Sequence, residues 1–200
     1  MSGRFCVESF AAVPGAQPTK RSAYFLLEVF ALAMTLDPQA IVVAAFVVVM
    51  AAAAFEDFRR LVIPNLLPIT LFALWPIYFA AAPSLYGGLA AIGCALAVFL
   101  GGAVLFARGY LGGGDVKLLS AATLWAGPAG TPELLMLTGV LGGALALFLL
   151  MPLGGHLASA ARGMLGQPPI DTGRGLAMPV PYGVAIAGAA LIVTLHPYIG

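Results

Sequence analysis

Residues 38–55 read PQAIVVAAFVVVMAAAAF, eighteen residues without a charge, and the next five, EDFRR, carry four charges. An apolar run of this length crosses a bilayer as a helix, and the charged residues after it mark the water boundary. Further runs follow on the C-terminal side. They are 64–82, beginning PNLLPITLFALWPIYFA; 86–107, ending AVFLGGAVLFA; a short one, DVKLLSAATLWAG, at 115–127; then 132–152 and 179–197. Glycine and proline inside such runs are tolerated, because neighbouring helices satisfy the backbone groups they free. The runs are continuous rather than alternating, which excludes a membrane β-barrel. The fold class expected is all-α: a polytopic membrane protein of about six transmembrane helices, occupying 38–197.

Composition agrees. Hydrophobic residues make up 62% of the 200 and charged residues 8%, against roughly 25% charged in soluble domains. The formal net charge is +1, so no bulk field attracts nucleic acid. Cys6 and Cys94 are far apart and form no C-x-x-C pair, so neither a metal nor a redox cofactor is expected. Cys94 reads as a small packing residue.

The positive charges fix an orientation. Arg59 and Arg60 lie between the first and second spans, Arg108 between the third and fourth with Lys117 just after, and Arg162 and Arg174 between the fifth and sixth. The loops at 83–85 and 128–131 hold no lysine or arginine. The positive-inside rule therefore predicts that 56–63, 108–114 and 153–178 face the cytoplasm. Residues 1–37 fit less well, since Arg4, Lys20 and Arg21 would fall outside. They read either as an over-long reading frame with Met34 as the start, or as a cleavable or interfacial segment. The 153–178 loop contains Gly155, Gly163, Gly166 and Pro168-Pro169, and is expected to be a mobile cover over the cytoplasmic end.

Carboxylates near a span are costly and invite a functional reading. Asp57 ends the first span and Asp115 opens the fourth. Two intervening spans return the chain to the same side, so the two can meet. Gly112, Gly113 and Gly114 permit unusual backbone conformations or a close approach, and Asp115 is expected to cap the fourth span. Taken alone, Asp115 reads equally well as a plain cap, and Asp57 as a partner of Arg59 or Arg60. Glu56, one position away, points to another side of a helix. Pro64 suits a first helical turn, and Asn65 a buried hydrogen bond.

The segment DFRRLVIPN (57–65), then GGGDVKLL (112–119) with its G-x-G-D element, then PVPYGVAIAGAAL (179–191) with Pro181, Tyr182 and Gly183, together resemble the type IV prepilin peptidase family. A lone G-x-G-D is weak; the three motifs in this order on six spans are specific. The resemblance implies an inner-membrane aspartic endopeptidase with Asp57 and Asp115 as its catalytic pair. Pro64, Asn65, Gly112, Gly114, Lys117, Pro181, Tyr182 and Gly183 are then its supporting motif residues. It implies a pilin precursor as substrate, with a basic leader and an apolar helix, cut just after a glycine at the cytoplasmic boundary. Pilus assembly machinery is the implied partner beside the lipid bilayer. The family's bifunctional members add a domain with paired C-x-x-C motifs and methylate the new N-terminus. None is present here, so the chain looks like the short, peptidase-only branch associated with Flp-type pili. The presenilin-like branch fits less well, since Asp57 follows Glu56 at a span end.

Two close carboxylates share a proton. One can then take a proton from water while the other donates to the scissile carbonyl. Lys117 and Arg59 read as topology residues. Glu56 and Asp171 are ordinary loop charges or attractors of a basic leader. Tyr182 either lines the cleft or anchors an interface, while His156 and His196 read as loop or interface residues. Two other functions compete. A small transporter would spread polar groups through mid-membrane, where this sequence is almost wholly apolar. A non-catalytic assembly subunit would have no need of both aspartates.

Overall fold

The computed structural model of the protein describes residues 38–81, 85–167 and 180–199. They form six helices: α1 Pro38–Arg60, α2 Leu66–Ala81, α3 Leu85–Ala107, α4 Gly113–Leu150, α5 Pro152–Met164 and α6 Tyr182–Ile199. No strand occurs among the described residues. In an apolar medium only intra-segment hydrogen bonds can satisfy this backbone, and helices provide them. α1, α3 and α4 are long and apolar enough to cross a membrane, and α2 and α6 are shorter apolar helices. The expectations for residues 1–37, and for Asp171 and Arg174, fall outside the described residues.

α4 is two arms rather than one rod. A straight helix of 38 residues would be about 57 Å long. Gly127 interrupts it at φ 67°, ψ −176°, a conformation essentially confined to glycine. Close approaches on either side show that the chain reverses there. Gly114 lies against Ile63 near one end of the bundle, Gly142 lies under the Tyr182 ring near that same end, and Gly130 meets Val193 at the far end. Arm 113–126 thus runs away from the Asp115 end and arm 128–150 returns. These arms correspond to the short fourth span and the fifth span expected from the sequence, with Gly127 and Pro128 making the turn.

The core sits where α1, α2, α4 and α6 converge, around Phe46, Met50, Leu71, Leu118, Leu134 and Ile186. Trp125 ties three helices together. Its ring lies 4.6 Å from Phe46 of α1 and 5.0 Å from Tyr78 of α2. Its Nε1–H donates to the Leu71 carbonyl at 3.0 Å, beside the stretch of α2 that Pro76 loosens. Two hydroxyls inside the first arm are hidden by bonding back one turn. Ser120 donates to Val116 O and Thr123 to Leu119 O.

One expectation is corrected here. Residues 152–164, read as part of a mobile loop, are the helix α5. Pro152 occupies its first turn, where a missing N–H costs nothing. Gly154 serves packing: a Cβ there would collide with the Phe148 carbonyl. Residues 168–179 of the expected cover lie outside the described residues.

Candidate active site

Asp57 sits in the last turn of α1, 5% exposed. Its Oδ2 accepts the Gly183 N–H at 2.6 Å, at the start of α6. A side chain on residue 183 would leave no room, since its Cβ would come within 2.8 Å of Asp57 Oδ2 and 2.9 Å of Ile63 Cδ1. Glycine is thus required there for close approach. The Pro-Tyr-Gly segment delivers it. Pro181 is buried, and its carbonyl accepts the Val184 N–H. Tyr182 lays its ring on Gly142, where a Cβ would lie 2.8 Å from Cε1. Tyr182 therefore belongs to the α4–α6 interface. The ion pair of this turn is Glu56 with Arg60 at 3.2 Å, so Glu56 is engaged elsewhere, and Asp57 is held by backbone rather than by Arg59 or Arg60.

Asp115 is the third residue of α4, with Gly112 as the N-cap, which corrects the expectation that Asp115 itself caps. Its carboxylate folds back on the Gly112 N–H, as the third residue of a capping box does. A Cβ on Gly112 would stand 2.7 Å from Asp115 Oδ2, and one on Gly114 3.0 Å from Ile63 Cβ. The φ angle at Gly112 is −72°, and none of the three glycines has positive φ. They serve close approach, not unusual conformation. Asp115 Oδ1 is buried without a hydrogen-bond partner.

The two carboxylates share a cavity. Asp57, Leu61, Val62, Ile63, Gly112, Gly113, Gly114 and Asp115 line one cavity of about 220 Å³. The cavity is recessed. Gly102 of α3 packs on Val116, so α3 continues five residues, about 7 Å, past that level. The second arm of α4 runs eight residues, about 12 Å, past Gly142.

Other motif residues brace this end. Lys117 Nζ donates to Asn65 Oδ1 at 2.8 Å, linking the α1–α2 loop to α4. Asn65 is exposed rather than buried. Pro64 stands just before α2, and its carbonyl accepts the Leu67 N–H. His156 and His196 are exposed and apart from the cavity, and Cys94 is half-buried in α3.

Two contributors were not singled out from sequence. Leu61 holds a left-handed conformation, φ 55°, at the end of α1, with its N–H on the Asp57 carbonyl at 2.8 Å. A helix end there normally carries glycine, so no sequence signal marks it. Arg162 of α5, read as a topology charge, is 4% exposed, and its Nη1 donates to the Phe58 carbonyl at 2.7 Å. Its signal is the spacing of Gly154, Gly155, Ala158 and Arg162, one helical face that is buried.

No curated protein and no solved structure matches the chain. The profile of the type IV leader peptidase family matches residues 44–147, a segment that contains both aspartates and spans just over half of the sequence. The resemblance carried by DFRRLVIPN and GGGDVKLL thus has an independent counterpart, while the Pro-Tyr-Gly segment lies beyond the matched residues, and the chain belongs to the type IV leader peptidase family.

Proposed function

We propose that this protein is an aspartic endopeptidase of the bacterial inner membrane that removes the basic leader from pilin precursors, with Asp57 and Asp115 as its catalytic pair. The observation that carries the reading is the shared cavity. Two carboxylates 58 residues apart in sequence are brought to one recess, one seated by Gly183 and the other with an oxygen left unpartnered. Such a pair shares a proton. The ionised member takes a proton from water, the water oxygen attacks the scissile carbonyl carbon, and the protonated member donates to the carbonyl oxygen. Collapse of the tetrahedral intermediate breaks the C–N bond: the amine takes the proton that the first carboxylate took from water, and the second carboxylate recovers its proton from the intermediate's hydroxyl as the carbonyl re-forms.

The recess faces the cytoplasm in this reading, because Arg59, Arg60, Arg108, Lys117 and Arg162 all belong to the same end of the bundle. A pilin precursor with a basic leader in the cytoplasm and an apolar helix in the bilayer presents its scissile bond at that boundary. The Flp-type pilins are the expected substrates, pilus assembly machinery the expected partner, and peptidase without methyltransferase the expected activity. The test is pilin-precursor cleavage in membranes by wild type, Asp57→Asn and Asp115→Asn at equal expression. Both variants are expected to lose cleavage, and full processing by either in cells lacking another such peptidase would refute the pair.

A further inference from the structure

Arg162 is a buried cation placed against the end of α1. Its Nη1 donates to the carbonyl of Phe58, the residue after Asp57, across 104 positions of sequence. Because Phe58 directly follows Asp57, this bond brings the guanidinium to the turn of α1 that carries the carboxylate. The helix that carries it is seated on α4: Ala158 and Leu149 form a buried cluster, against which Leu145 and Val180 pack. Val180 leads directly into the Gly183 N–H that binds Asp57 Oδ2. α5 therefore touches the end of α1 and shares a packing cluster with the run into α6.

A carbonyl in the last turn of a helix needs a donor, and a neutral side chain would supply one. A buried guanidinium brings a positive charge to this turn as well as a donor. Beside it lies a carboxylate that must carry negative charge for part of a catalytic cycle. We infer that Arg162 is a positioning residue for Asp57, fixing the end of α1 through Phe58 and offsetting with its charge the cost of an ionised carboxylate in a buried site. The inference rests on the reading of Asp57 as catalytic. Arg162 does not line the cavity and acts through Asp57 rather than on the substrate.

Three substitutions separate the two contributions. Arg162→Lys keeps the charge, Arg162→Gln keeps a neutral donor, and Arg162→Met keeps only bulk. Kinetics on the purified full chain in lipid nanodiscs, with a pilin precursor and Asp57→Asn alongside, give the readout. Arg162→Lys is expected to stay within about threefold of wild-type kcat, while Arg162→Gln and Arg162→Met lose about tenfold or more with KM within about twofold. Should Arg162→Met fail to accumulate, the Gln–Lys comparison still decides. Equal kcat for Arg162→Gln and Arg162→Lys would overturn the role of charge, and a loss carried by KM would overturn positioning. Full activity in Asp57→Asn would instead overturn the underlying pair. An inactive Asp57→Asn beside an Arg162→Gln with wild-type kcat would overturn the Arg162 role alone.

Discussion

Asp57 and Asp115 line one cavity but are held in opposite ways. Asp57 is seated by tertiary structure: a backbone N–H from α6, a neighbouring backbone carbonyl tied to α5, and a wall made by Ile63. Asp115 is held by its own turn, through Gly112, and keeps one oxygen without a partner. One carboxylate is fixed by distant parts of the chain and the other by adjacent residues. The difference teaches that the family motif around Asp115 is largely self-sufficient, while Asp57 depends on the Pro-Tyr-Gly segment more than a hundred residues away.

The contrast can be broken from the Asp57 side first. Gly183→Ala would drive a methyl group into the Asp57 side chain and Ile63, neither of which is a loose surface group. Displacement of about an ångström is expected to lower kcat on the order of a hundredfold, measured on a pilin precursor with the purified protein. Gly112→Ala attacks the Asp115 side. Its Cβ would meet chiefly the Asp115 carboxylate, which can rotate away, so a smaller loss of about tenfold is expected in the same assay. Equal losses in the two variants would contradict the difference between the niches.

The smallest effect concerns the brace between them. The Lys117–Asn65 contact is exposed, and the coupling of Asn65→Ala with Lys117→Met in a double-mutant cycle on thermal stability is expected to be about 1 kcal/mol or less. A larger coupling would make this contact part of what holds the two motif segments together.

Much of this was legible in the sequence because lipid imposes simple rules. Continuous apolar runs gave the helices, and the sparse charges marked one end of the bundle. Two aspartates at that end stood out because so few other carboxylates exist. Less was legible where tertiary contact decides. α5 is rich in glycine and alanine, so composition reads it as loop, yet those small residues are what let it lie against α4. The loop expected at 128–131 is a turn at Gly127, because one residue in a glycine-only conformation suffices to reverse the chain. Asp115 was taken for a cap because capping depends on one residue of register, which apolar periodicity does not resolve. Leu61 carries no signal, since nothing in a leucine announces a left-handed backbone.

The central claim is that Asp57 and Asp115 act as one unit, and the most direct measurement is kcat/KM for Asp57→Asn, Asp115→Asn and the double variant on a pilin precursor. Residues that work as a unit are non-additive, so each single variant should lose about 10⁴-fold or more and the double variant should be no worse than either. Wild-type cleavage by either single variant, or a double loss equal to the product of two modest single losses, would contradict the account.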